Sequence, residues 1–304
     1  MRKTVVVPLL DPFMDHVGVS ERALPYARRM LEQSDAKLIL ISVIDMAPEF
    51  SDLSGPVSEE IVDERTTIIA ERKRYLRALA ETFPEGRVET EVRCGNATSE
   101  VLDLLVMLDR PMLVMGSHAR TGTARMLYGS VAFRLLHGAD APVLVVRKAV
   151  PQPANPPLQR VLVPLDGSIF AEQVLEAVHD ALGRQALDLH LVHVIDLTRH
   201  PPDDTLRTQG VTPYQWAKHY LPGVVEPLEA RGHRVTWEIR DGSVPDEIAR
   251  AAREQRVDLI AMATNSRGGL SRLMYGSVAE TVLSDADVPL LLVRPNESAL
   301  PFGG

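Results

Sequence analysis

The chain has 304 residues, 45% of them apolar and 24% charged, an ordinary balance for a soluble globular protein and enough length for about two domains at ~100–200 residues each. A net charge of −8 and a pI near 5.6 argue against a phosphate-backbone binder, which needs a basic face. The single cysteine, Cys94, rules out an intramolecular disulfide and suits a reducing compartment.

The predicted elements alternate along the chain. Residues 3–9 are a short β-branched run that reads as a buried strand. A helix over 20–33 follows, with Ser20 as its N-cap and Ala23, Leu24, Ala27 and Leu31 at helical spacing. Leu38 to Ile44 is a second apolar run. Residues 59–82 read as a long charged helix whose Glu71-Arg72-Lys73-Arg74 segment forms its solvated face. Residues 87–93 alternate like a partly exposed strand, ending beside Cys94, and 98–108 are helical. Met112–Met115 is a buried strand opening into a loop. A helix over 129–138 begins at Gly-Ser, and Val143–Val146 is the last strand. The second half repeats this order over residues 160–165, 169–182, 187–195, 213–231, 234–240, 244–255, 258–262, 277–284 and 289–293. The irregular stretches 46–58 and 197–212 read as lids or partner-contact loops. No run reaches the roughly 18 apolar residues of a membrane span, and Val5–Val7 is too short for a secretory core. The expectation is a cytoplasmic protein with no nucleic-acid partner and no membrane insertion.

The repetition extends to individual motifs. Val5-Val6-Val7-Pro8-Leu9 returns as Val161-Leu162-Val163-Pro164-Leu165 (164 minus 8 is 156). Tyr128-Gly129-Ser130-Val131-Ala132 returns identically at 275–279 (275 minus 128 is 147), and Pro142–Arg147 returns as Pro289–Arg294 at the same offset. Such a period is far longer than a solenoid repeat, so each copy is a whole domain. Ala149–Pro157 holds four prolines in nine residues and reads as an extended linker. The expected organisation is a first domain over 1–148, a linker over 149–158 and a second domain over 159–296.

Strands alternating with helices imply a mostly parallel, doubly wound sheet. Ligands of such sheets sit beyond the carboxyl ends of the strands, at the topological switch point. That places candidate residues at Pro8, Val43 and Met115 in the first half and at Pro164, Val194 and Met262 in the second. Asp166 stands at the tip of the repeated first strand, where a carboxylate can accept from a ribose hydroxyl; Asp-Gly-Ser is also ordinary turn chemistry. In both halves the fourth strand opens into a loop of small residues and then a helix beginning Gly-Ser, a pattern suited to phosphate groups or to plain capping. His190 and His193, three apart on a strand, point to opposite faces and do not suit joint metal ligation.

These residues resemble the universal stress protein family over nearly the whole chain, twice. Its nucleotide-binding members carry G-x2-G-x9-G-[ST] after the fourth strand and an aspartate after the first. The first half matches with Gly116-Ser117-His118-Ala119 and Gly129-Ser130, alanine replacing the second glycine; the second half has Ala263-Thr264-Asn265-Ser266 and Gly276-Ser277. Asp166 matches the aspartate, whereas Leu10 stands at its place in the first half. The resemblance implies two sheets of strand order 3-2-1-4-5, of the adenine nucleotide alpha hydrolase-like type. It implies a non-catalytic, stress-associated binder of ATP or a related adenine nucleotide, and leaves magnesium open. The site residues carried over are Pro164, Asp166, Val194, Met262, Ala263, Thr264, Ser266, Arg267, Gly276, Ser277 and Val278, with Pro8, Val43, Met115, Gly116, His118, Ala119, Arg120, Gly129, Ser130 and Val131 in the weaker half. It also implies a protein partner and a homodimer of tandem chains. A nucleotide-free interaction module and a weak ATPase stay open as alternatives, although the sequence offers no Walker lysine.

Overall fold

The computed structural model describes residues 3–9, 18–45, 59–117, 130–151, 153–182, 185–196, 210–264 and 276–295, with side chains of the long first-half helix from residue 65 onward. The chain divides into two compact units, Met1–Lys148 and Ala149–Gly304. Of the segment joining the repeats, Val150, Pro156 and Leu158 are buried, while Ala149, Pro151, Pro153, Ala154, Asn155 and Pro157 are exposed.

Unit 1 runs β1 (Thr4–Pro8), a 3-10 turn (Ser20–Ala23), α1 (Leu24–Gln33), β2 (Lys37–Ile44), α2 (Glu59–Ala80), β3 (Val88–Cys94), α3 (Ala97–Met107), β4 (Pro111–Ser117), α4 (Ser130–Gly138) and β5 (Val143–Arg147). Unit 2 runs β6 (Arg160–Pro164), α5 (Ile169–Leu182), β7 (Asp188–Ile195), α6 (Pro213–Ala230), β8 (Arg234–Asp241), α7 (Val244–Glu254), β9 (Leu259–Ala263), α8 (Ser277–Asp285) and β10 (Leu290–Val293). Within each unit the strands lie in the order 3-2-1-4-5, that is β3-β2-β1-β4-β5 and β8-β7-β6-β9-β10. The neighbours described are parallel, with registers such as Pro8↔Ile41 and Pro164↔Val192. This is the doubly wound architecture that the alternating elements predict.

The middle strands are apolar on both faces because helices cover both: Val5, Val6, Val7, Leu38, Leu40 and Leu113 are each fully or almost fully buried, as are Val161, Leu162, Val163, Leu191 and Ile260. The outer strand β3 is partly exposed along most of its length rather than strictly alternating. Right-handed crossovers put the helices that follow the first two strands on one face and those that follow the next two on the other.

Two sequence expectations need correction. Ser20 is not an N-cap: it lies inside the 3-10 turn and is 4% exposed. The segment starts as a tighter helix, and α1 proper opens at Leu24 with proline in its first turn. Arg72 is not on a solvated face: it is 6% exposed, one helical turn before the buried Leu76, whereas Glu71, Lys73 and Arg74 are exposed. A guanidinium on the apolar stripe buries its long stem, which composition alone does not reveal.

The tighter turn also explains Gly116 at the end of β4. A Cβ there would lie 1.8 Å from the Val19 carbonyl oxygen, so the glycine admits the backbone leading into the 3-10 turn. In unit 2, where the corresponding helix is α-helical from its start, Ala263 stands at the equivalent position.

His233 gives unit 2 a dependence on pH. Its imidazole is 5% exposed, and its Nδ1 accepts the Leu187 N–H (3.2 Å) while Nε2 faces Nδ1 of His179 at 3.3 Å. Burial, then the neighbouring His179 and Arg231, holds its pKa below the ordinary 6.5. As pH falls, the unfolded chain takes up this proton before the folded one does. Stability is therefore complete above 6.5, declines as pH falls through that value, and levels off below the folded pKa. Urea midpoints between pH 8 and pH 5 should show this decline in the wild type and a smaller one in His233→Gln.

Candidate functional site

The switch point of unit 2 lies between β6 and β9, which pair through Val161↔Leu259 and Leu162↔Ile260. Beyond it the chain leaves β6 through Leu165, whose N–H still bonds to Val192 (2.9 Å), and reaches Asp166, Gly167 and Ser168. The Asp166 carboxylate is exposed; its Oδ1 accepts from the Ser168 N–H (3.0 Å) and the Ser168 hydroxyl (2.6 Å). The Ser168 hydroxyl oxygen in turn accepts the Ala171 N–H at 3.2 Å, in the first turn of α5. Asp166 thus does the turn chemistry that its sequence allows, and it does so at the end of the central strand.

Gly167 adopts φ +85°, a left-handed conformation that favours glycine. A Cβ on it would lie 2.1 Å from the indole of Trp216. Trp216 comes from α6, whose start is defined by a capping box: Thr212 accepts from the Gln215 N–H, and Gln215 accepts from the Thr212 N–H. The indole stacks on Tyr220 (centroids 5.0 Å apart, 12° between planes) and lies 5.6 Å from the His193 ring. Tyr220 donates its hydroxyl to Glu172 on α5 (2.9 Å). Burial, reinforced by Glu172, pushes the phenol pKa upward, so the hydroxyl stays a donor. His193, on the face of β7 opposite His190, is bonded through Nδ1 to the Leu165 carbonyl (2.8 Å), so Nδ1 carries the proton. Burial lowers its pKa against the opposing pull of that carbonyl and of Asp166, which favours the neutral ring.

The other predicted residues of unit 2 are distributed around this turn. Pro164 ends β6, and Val194 lies two residues past its partner Val192 on β7, half-buried. Met262 is buried and can offer a ligand only its backbone, Ala263 is half-buried, and the Thr264 hydroxyl is directed to the Val293 carbonyl (3.3 Å). Gly276 is the N-cap of α8 in an extended conformation, with no side-chain cap on the helix; Ser277 after it is exposed and Val278 half-buried. Ser266 and Arg267 lie outside the described residues.

In unit 1, Pro8 and Val43 occupy the corresponding strand ends, Met115 is buried, and Gly116 is packed as described. Ser130 opens α4 and is exposed, with Val131 half-buried behind it. Leu10, His118, Ala119, Arg120 and Gly129 lie outside the described residues, as do residues 46–58 and 197–209 of the two irregular stretches. Ser42 takes the place of His193 and Ser117 that of Thr264; both hydroxyls are buried with no hydrogen-bond partner among the described residues. Among the described residues no three metal-ligating side chains come together, and no helix is long and apolar enough to cross a membrane.

Sequence reasoning missed the aromatic group. Trp216 and Tyr220 sit one turn apart on α6, but His193 and Gly167 are distant from them in the chain, and only the fold brings the group together. One signal was present: Tyr75-Leu76 returns as Tyr220-Leu221, and Tyr75 donates to Glu21 (2.7 Å) as Tyr220 does to Glu172.

Two units of this topology, with an aspartate beyond the first strand of the second, define a tandem of doubly wound, parallel α/β domains. The model of the universal stress protein family matches residues 1–147 and again 157–294. The chain belongs to the universal stress protein family. It is 28% identical over 298 residues to a universal stress protein of Mycolicibacterium smegmatis, covering 93% of this chain and 95% of that one. With a universal stress protein of Mycobacterium tuberculosis it shares 26% identity over 317 residues, covering 95% and 96%. A crystal structure of a universal stress protein from Archaeoglobus fulgidus superposes with a TM-score of 0.66 at 20% identity, over 97% of each chain, which shows the fold is shared.

Proposed function

We propose that the chain is a stress-associated regulatory protein that binds ATP or a related adenine nucleotide in unit 2, without dedicated catalysis. The observation that carries this reading is the exposed Asp166 carboxylate just beyond the central strand β6, held in place by Ser168. Ligands of open parallel sheets bind at such a switch point, and a carboxylate there can accept from ribose hydroxyls. The donor set fits the rest of a nucleotide. Among the described residues no side chain caps the first turn of α8, which offers backbone N–H groups and a positive dipole end to phosphates, with the exposed Ser277 hydroxyl beside them. In this reading Asp166 orients the ribose, the ends of β7 and β9 face the base, and α8 meets the phosphates.

The test is ATP affinity measured by equilibrium dialysis. Removing a hydrogen bond to a charged group costs about 1.5–3 kcal/mol, so Asp166→Ala should weaken binding roughly 10- to 100-fold. An unchanged affinity would reduce Asp166 to a turn residue and remove the main support for this site.

A further inference from the structure

The ends of β6 and β7 and, through Tyr220, the start of α5 converge on one side chain, Trp216. The end of β6 supplies Gly167, which lacks the Cβ that would collide with the Trp216 indole. The end of β7 supplies His193, tied back to the Leu165 carbonyl and set against the same indole. The first turn of α5 supplies Glu172, which pins the Tyr220 on which the indole stacks. Hydrogen bonds from Ser168 hold one side of the turn, and the tryptophan holds the other. Glycine at positive φ is the most permissive joint in a chain, so a turn built on it needs an outside contact to keep one direction.

We propose that Trp216 is the positioning residue of the unit 2 site: by lying on Gly167 it fixes the direction in which Asp166 faces an incoming nucleotide. This rests on the nucleotide reading above and adds to it. Without the indole the turn must be ordered when the ligand binds, and that ordering is subtracted from affinity. The arrangement also couples the site to α6, because a ligand that moves Asp166 or Gly167 pushes against a side chain anchored in that helix. Among the described residues of unit 1 no aromatic side chain stands at the matching position. Matching Tyr220-Leu221 to Tyr75-Leu76 places the exposed Glu71 where Trp216 stands. The proposal therefore makes unit 2 the responsive half of the tandem.

The test uses the full chain and measures both the ATP dissociation constant and the thermal midpoint. Trp216→Ala should weaken ATP binding about tenfold, which corresponds to ~1.4 kcal/mol. Trp216→Phe keeps a ring against Gly167 and should restore most of that loss. Leu228→Ala, at a buried position near the far end of α6, should lower the thermal midpoint and leave ATP affinity unchanged. Unchanged affinity in Trp216→Ala, or an equal loss in Leu228→Ala, would overturn the positioning role while leaving the nucleotide reading intact. Absence of ATP binding by the wild type would overturn both.

Discussion

Replacing Arg240 by alanine is expected to cost about 3 kcal/mol, the low end of what breaking a buried ion pair costs. Arg240, on β8, is 7% exposed and faces three carboxylates: Glu238 on its own strand (2.8 Å), Glu247 on α7 (3.6 Å) and Glu254 at the end of α7. Glu238 also bonds to Nε2 of His190 at 2.9 Å. Burial pulls the Glu238 pKa upward, but the hydrogen bonds from His190 and Arg240 outweigh it and hold the carboxyl below its ordinary value. Removing the guanidinium takes away the buried cation of this cluster and leaves Arg250, more exposed, on Glu247 (2.6 Å) and Glu254 (3.7 Å), with His190 on Glu238. Glu254 keeps solvent contact, which places the expected loss at the low end of the range. Urea unfolding should show the loss in Arg240→Ala, and part of it should return when Glu238→Gln is added. A wild-type midpoint in Arg240→Ala would contradict the account. Unit 1 carries a smaller version of the cluster, in which Arg93 pairs with Glu91 (2.6 Å) and Glu100 (3.4 Å).

Gly167→Ala is expected to destabilise the protein by about 2–4 kcal/mol. Overpacking a filled space costs ~1–3 kcal/mol, and moving a non-glycine residue into left-handed backbone adds roughly 1 kcal/mol. Here the added methyl would approach the Trp216 indole to 2.1 Å, and the φ of +85° remains unfavourable however the ring moves. The two contributions can be separated. In a Trp216→Ala background the steric part disappears, so the alanine at 167 should then cost only about 1 kcal/mol. Denaturant midpoints of the wild type, both single variants and the double variant complete the cycle. Equal penalties in both backgrounds would mean that the indole does not press on this glycine.

The sequence carries the architecture because buried parallel strands are apolar on both faces and read as short β-branched runs, as Val5–Val7 and Val161–Val163 do. The duplicated Tyr-Gly-Ser-Val-Ala motif doubles the reading. Ser20 misled because a serine before an apolar stripe is the usual mark of a cap, whereas here it lies inside a 3-10 turn whose N-cap position is Val19. Arg72 misled because a charged run on a helix looks solvated whichever residue faces inward. At the candidate site, Asp166 is visible from its place after Pro164-Leu165. The packing that constrains it is not, since Gly167, His193, Trp216 and Glu172 meet only through long-range contacts. The Arg240 cluster repeats Glu91, Arg93 and Glu100 as Glu238, Arg240 and Glu247 at one constant offset (240 minus 93 is 147). That repetition could have been found by aligning charges as well as apolar motifs.

The most direct measurement is of the nucleotide that the purified protein carries. The wild-type chain and Asp166→Ala should be denatured and the released small molecules identified and quantified by chromatography and mass spectrometry. An adenine nucleotide equimolar with the wild-type chain, and lost from Asp166→Ala, is the expected result. No released nucleotide, together with no thermal stabilisation by added ATP, would contradict it and leave an interaction module built on the same fold.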